Sequence, residues 1–176
     1  SCPNVKHGGI AFGTDAGELK NLLKSVKKTV RNKIIIVKLS PNVADIGLFA
    51  KIAEDNGADA ISLINTITAM AIDVRTRRPK IARITGGLSG PAIKPIAVRM
   101  VWEAHQAVGI PVIGMGGIMD HEDAIEFMLA GASAVAVGTA NFIDPQSTVR
   151  IIDGIKDYLA QEKIQDVKDL IGGVRI

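Results

Sequence analysis

Pro111-Val112-Ile113-Gly114-Met115-Gly116-Gly117 and Ala134-Val135-Ala136-Val137-Gly138-Thr139 decide how this chain folds. Each is a short apolar run that ends in glycine, and a helical pattern follows each one. Apolar runs of this length alternating with helices mark a parallel α/β series. Glycines at two successive strand ends strip those ends of side chains and let backbone N–H groups approach a ligand. N–H groups beside helix N-termini form a natural cradle for a phosphate dianion. In a (β/α)8 barrel the loops after the last two strands hold such a phosphate. One Gly-Gly turn often does no more than satisfy a positive φ. Two of them, one βα unit apart, point to a phosphate-bearing cofactor or substrate.

Upstream the same plan repeats. Asp15 with Glu18 three residues on is a capping pattern, and Leu19, Leu22, Leu23, Val26 and Val30 follow at helical spacing, which predicts a helix to about Arg31. Ile34-Ile35-Ile36-Val37 reads as a strand covered on both faces. A helix from about Ala44 to Asn56 ends at Gly57, and the strand Ala60 to Ile64 follows. Residues Thr66 to Pro95 break the rhythm: the stretch is too long for an ordinary βα connection and reads as a functional lid or a mobile segment. A helix from about Pro95 to Val108 leads into the strand Pro111 to Gly114. Asp120 and Asp123 cap a short helix to Ala130, with Gly131 at its end, and the strand Ala134 to Val137 comes next. Asp144-Pro145 opens a last helix whose buried stripe is Ile151, Ile152, Ile155 and Leu159.

Four such strands cannot close a barrel, and open edges would leave unpaired backbone and half an apolar core uncovered. Residues 1–176 therefore read as a single domain's C-terminal half, starting at a Ser and completed by an N-terminal half supplied by further polypeptide. With 47% hydrophobic and 22% charged residues, the 176-residue chain has material for one core, and no apolar run reaches the length of a membrane span. A single cysteine excludes an internal disulfide framework and suits a reducing cytoplasm. The net charge is +3, and one Trp, one Tyr and four Phe offer little surface for stacking bases, so neither nucleic acid nor membrane is an expected partner. The basic clusters Lys20 to Lys33 and Arg75 to Arg83 read as solvated faces.

Chemistry-bearing residues gather at the ends of successive strands, where barrel enzymes place their sites. Ser1-Cys2-Pro3-Asn4 precedes the first helix in a polar loop with Gly8 and Gly9 beyond it. On residue type alone a lone Cys is more often a small buried hydrophobe. In a polar flap it can serve as a general base where the site lowers its pKa or the proton is acidic. Lys38 ends one strand, and Asn65-Thr66 end the next. Alone, each could be a snorkelling lysine or a turn residue. His7, His105 and His121 read as solvated surface residues, and no metal site is assigned.

Taken together, Ser-Cys-Pro-Asn-Val-Lys at 1 to 6 with the Gly-Gly-Ile-Ala-Phe-Gly-Thr that follows, Val-Lys-Leu-Ser-Pro-Asn at 37 to 42, Ile-Asn-Thr at 64 to 66, Thr-Gly-Gly-Leu-Ser-Gly-Pro-Ala at 85 to 92, Gly-Met-Gly-Gly at 114 to 117 and Val-Gly-Thr-Ala-Asn-Phe at 137 to 142 closely resemble the catalytic subunit of class 1B dihydroorotate dehydrogenases. The match runs through the whole chain in order. The resemblance implies an FMN-containing (β/α)8 TIM barrel, of which this chain would supply strands five to eight. It implies flavin-dependent oxidation of dihydroorotate to orotate in pyrimidine (UMP) biosynthesis. By the same resemblance Cys2 is the catalytic base, and Asn4, Asn65 and Thr66 bind the pyrimidine or its carboxylate. Lys38 would stand beside the flavin's N1–O2 edge, Ile64 and Gly90 would line FMN, and Gly116, Gly117, Gly138 and Thr139 would grip its phosphate. The implied partners are a second copy of the chain and an electron-transfer subunit that carries FAD and an iron–sulfur cluster and passes electrons to NAD. The alternatives are an inactive half-barrel fragment that binds phosphate, or another phosphate-binding barrel enzyme, against which Cys-Pro-Asn and Lys38 argue.

Overall fold

Aspartates start three of the helices. In the computed structural model, which describes residues 9–175, a short helix α1 (Gly9–Thr14) leads to Asp15, whose carboxylate accepts from the Glu18 N–H at 2.8 Å and opens α2 (Ala16–Thr29). Asp45 does the same for α3 (Ile46–Asp55), accepting from the Leu48 N–H at 2.9 Å. Each cap satisfies one of the orphan donors of a first helical turn. The next two helices are α4 (Lys94–Ala107) and α5 (His121–Leu129), the latter capped by Asp120, which accepts from the Asp123 N–H at 3.0 Å. Gly57 and Gly131 leave α3 and α5 with φ of +90° and +115°, the conformation expected of them.

The main sheet is parallel. Its strands are β1 (Ile36–Lys38) and β2 (Ala60–Leu63), joined after a long excursion by β7 (Val112–Met115) and β8 (Ala134–Ala136), in the order β1-β2-β7-β8. Ile36 pairs with Ala60, Ile61 with Val112, and Ile113 with Ala134. The central strand β2 is buried along its whole length. Leu23 of α2, Phe49 and Ala53 of α3, Val101 and Ala104 of α4, and Phe127 of α5 belong to the same buried cluster as Ile61, Leu63 and Val112. This apolar layer fixes the strand ends relative to one another and so fixes the site.

Four expectations change. The Ile34 to Val37 run is not covered on both faces: Ile34 is 78% and Ile36 52% exposed, because β1 is an outer strand of the sheet among the described residues. The stretch from Thr66 to Pro95 is not a bare loop. It forms an antiparallel arm in which β3 (Ile67–Met70) pairs with β6 (Thr85–Leu88), and β4 (Ile72–Asp73) pairs with β5 (Arg78–Pro79). At its tip the Asp73 carboxylate accepts from the N–H groups of Arg75 and Thr76 at 2.8 and 3.0 Å. Those two bonds hold its carboxyl below the usual range despite some desolvation. A four-residue helix α6 (Ala140–Ile143) precedes α7 (Ser147–Gln161), and on α7 Ile151 is buried while Ile152 is 53% exposed. Ile152 stands one residue, about 100° of helix rotation, off the stripe that Ile151 and Ile155 share at helical spacing.

The helix histidines are packed, not free. The His105 ring fills the space beside Gly131 and Gly172, and His121 lies against Gly154. No helix among the described residues is long and apolar enough to cross a membrane.

Candidate active site

At the C-terminal ends of the four parallel strands lies a cleft of about 280 Å³. Lys38 comes to it from the end of β1, and Ile64, Asn65 and Thr66 from the residues after β2. Gly116 and Gly117 line it from the turn after β7, and Gly138 and Thr139 from the turn after β8. Gly90 enters from the segment that leaves the arm. The nine residues singled out in the sequence that fall in the described range are thus brought to one cavity. Cys2 and Asn4 lie outside the described residues, as does His7.

Sheet hydrogen bonding continues past the strands and holds these ends together. The Ile64 N–H donates to the Met115 carbonyl at 2.9 Å, and the Asn65 N–H to the Leu39 carbonyl at 3.2 Å. The Asn65 side-chain oxygen accepts from the Thr66 N–H at 2.8 Å. On the far wall the Thr139 hydroxyl donates to Ser89 Oγ at 3.0 Å, and Asn141 Nδ2 donates to the Val137 carbonyl at 2.9 Å. Lys38 takes part in none of the ion pairs among the described residues, so its cation has no carboxylate there to neutralise it.

The two glycine turns are built differently. Gly116 and Gly117 have φ of +128° and +86°, and a Cβ on Gly117 would lie 2.9 Å from the Gly90 carbonyl oxygen and from the Lys94 N. Here the chain itself demands glycine. Gly138 has no positive φ, and a Cβ on it would meet nothing within 4 Å. Nothing among the described residues packs against it, and it borders the cleft. None of the backbone hydrogen bonds outside regular helices and strands is donated by the N–H of Gly116, Gly117, Gly138 or Thr139 to a described residue. Donors left over beside an open space are what an anion needs.

Behind the first turn sits an ion pair that the sequence reading passed over, having taken Asp123 for a cap alone. Lys94 Nζ lies 2.6 Å from Asp123 Oδ1 and 2.7 Å from Glu126 Oε2. Asp123 Oδ2 accepts from the Met119 N–H at 2.8 Å, which ties the end of the Gly116–Gly117 turn to α4 and α5. Hydrogen bonds from Lys94 to Asp123 and then Glu126 hold the ammonium well above its ordinary pKa. Burial by itself raises the Asp123 carboxyl, but Lys94 and the Met119 N–H outweigh it and hold the group below the usual range. Ser40 and Asn42 were missed as well. Ser40 is buried and its Oγ accepts from Asn42, whose side chain in turn reaches the segment after β2. A polar Ser-Pro-Asn run directly after a strand end was the available signal.

Comparison with known proteins identifies the family. A family model described as Dihydroorotate dehydrogenase matches residues 1–159. Proteins named dihydroorotate dehydrogenase B (NAD(+)), catalytic subunit, from Thermoanaerobacter pseudethanolicus and Geotalea daltonii are each 58% identical over the 176 residues of this chain, which cover 58% and 57% of those proteins. One of the same name from Bacteroides fragilis is 54% identical over the whole chain and 58% of its own length. The chain thus spans a little over half the length of these relatives. It belongs to the dihydroorotate dehydrogenase family, a TIM-barrel family, and its four-stranded parallel sheet is part of such a barrel.

Proposed function

We propose that this chain forms the C-terminal half of an FMN-binding barrel, residues 1–176, that oxidises dihydroorotate to orotate in pyrimidine biosynthesis. The observation that carries the reading is the convergence of Lys38, Ile64, Asn65, Thr66, Gly90 and the two glycine turns on one cleft at the strand ends. The residues fit a flavin phosphate: Gly138 leaves room that no described residue fills, and the unspent N–H groups of the turns suit an anionic ligand. Gly116, Gly117, Gly138 and Thr139 would hold that phosphate, and Ile64 and Gly90 would border the cofactor.

FMN, when bound, supplies the acceptor for the hydride that leaves the substrate. Lys38, which lines the cleft, would stabilise negative charge at the flavin's pyrimidine edge. Asn65 and Thr66, with Asn4, would hydrogen-bond the pyrimidine and its carboxylate and fix the ring. Cys2 Sγ, as thiolate, would take the proton from the ring carbon next to a carbonyl. The names of the relatives include both NAD(+) and a catalytic subunit. For this chain we extend that to a cytoplasmic homo-oligomer working with an electron-transfer subunit that carries FAD and an iron–sulfur cluster.

The outer strands favour a second statement. Ile36 is half-exposed on β1, and β1 and β8 each have one unpaired edge among the described residues. Activity therefore belongs to the barrel completed by its N-terminal half, and these residues alone would be an inactive half-barrel. The test is Cys2→Ala in the complete barrel protein. Turnover of dihydroorotate should fall about 10²-fold or more with flavin content unchanged. Near wild-type turnover would remove Cys2 from the role of base, and a colourless wild-type protein would remove the flavin.

A further inference from the structure

Asn42 lies outside the cleft wall, yet its side chain spends every polar atom on the segment that carries the proposed substrate contacts. Its Nδ2 donates to the Thr66 carbonyl at 3.2 Å and to Ser40 Oγ at 3.2 Å, and its Oδ1 accepts from the Thr68 N–H at 3.0 Å. The amide thus grips the backbone on both sides of Ile67, as a neighbouring strand would. Its own backbone N–H donates to Ser40 Oγ at 3.2 Å, and Ser40 is 1% exposed, so the gripping residue is itself anchored. Across from it, Gly87 of β6 leaves the room that the Thr66 side chain occupies: a Cβ on Gly87 would overlap Thr66 Oγ1 and lie 2.6 Å from Thr66 Cβ. Thr66 is held between these two walls, one at the end of β1 and one on the arm.

We infer that Asn42 is a positioning residue for the pyrimidine site, setting with Gly87 the orientation of Asn65 and Thr66 and linking that orientation to the arm. The inference rests on the proposed function, since it gives Asn65 and Thr66 their ligand. It separates substrate binding from flavin binding, because Asn42 forms no hydrogen bond to the glycine turns. An amide is needed for both halves of the grip. Asn42→Asp keeps the volume and the acceptor for the Thr68 N–H but sets an oxygen against the Thr66 carbonyl, where the native group donates.

The experiment uses the complete barrel protein. Asn42→Asp and Asn42→Ala should each raise KM for dihydroorotate and the calorimetric Kd for orotate about tenfold, with kcat within about threefold of wild type and flavin content unchanged. A merely structural loop residue would lower Tm without this split. Wild-type KM and orotate affinity in Asn42→Asp would overturn the inference. If neither Asn42 variant folds, Gly87→Ala carries the test, since it presses on the same Thr66 side chain from the arm; unchanged KM and orotate affinity there would likewise overturn it. A wild-type barrel that neither oxidises dihydroorotate nor binds orotate overturns the functional reading, and the inference with it.

Discussion

At Gly116 and Gly117 the backbone runs at φ of +128° and +86° with Gly90, Ile93, Lys94 and Ala97 pressed close, whereas at Gly138, one βα unit later, the backbone avoids that region and the space around it is open. In sequence the two turns look alike, glycine after a short apolar strand. Their surroundings differ: the first turn needs glycine to let the chain pass, and no described residue crowds the second. The open space beside Gly138 on the cleft is where the proposed phosphate would have room, whereas the first turn is filled by its own chain.

The largest effect should separate the turns by stability. Gly117→Ala combines left-handed strain with overlap against the Gly90 carbonyl and Lys94, and should lower unfolding stability by about 3 kcal/mol in denaturant titrations of the complete protein. A loss under about 1 kcal/mol would show that this turn yields, and the contrast with Gly138 would fail. Gly138→Val should leave stability within about 0.5 kcal/mol. It should weaken flavin binding by about tenfold or more, equivalent to about 1.4 kcal/mol, read by flavin fluorescence on release. Full flavin retention would move the phosphate away from the second turn.

How far the sequence revealed the site follows the same division. The strand ends were legible because β7 and β8 are apolar runs that run into glycine, and two helix starts because Asp15 and Asp120 precede helical periodicity; the Asp45 cap was not read, and α3 was placed from Ala44. The arm was not legible. Its strand β6, Thr-Gly-Gly-Leu, has almost no side-chain alternation to read, and its pairing depends on Gly87 making room for Thr66, a contact between distant residues. Asn42 and the Lys94–Asp123 pair were hidden for the same reason: each acts across at least 24 residues of sequence. The exposure of Ile36 was illegible because a run of β-branched residues reads the same on an outer strand as on a central one.

The ion pair behind the first turn sharpens the contrast by pH. Asp123 titrates below its ordinary range in the folded state, so its contribution is present above the unfolded carboxyl pKa near 3.8 and is lost as pH falls through the lower folded value. Lys94 is raised, so its share is complete below 10.5 and disappears only above that. With side chains 28% and 12% exposed, the pair is partly screened. Asp123→Asn should therefore cost about 1 kcal/mol at neutral pH, with the gap to wild type closing below pH of about 4. A gap that persists in acid would assign the loss to packing instead.

The smallest effect belongs to the second turn. Thr139 Oγ1 donates to Ser89 Oγ at 3.0 Å across the cleft mouth, and Ser89 is exposed. Water can replace that partner, so the bond contributes little to stability. Ser89→Ala should shift Tm by less than about 2 °C, the equivalent of a few tenths of a kcal/mol. Its effect on flavin should also be slight, within about twofold, because the proposed phosphate grip at this turn comes from backbone N–H groups that the Ser89 hydroxyl does not touch. A tenfold loss of flavin in Ser89→Ala would mean that the Thr139 side chain must be aimed by its neighbour, and the second turn would then depend on a built hydroxyl instead of on the space that Gly138 leaves.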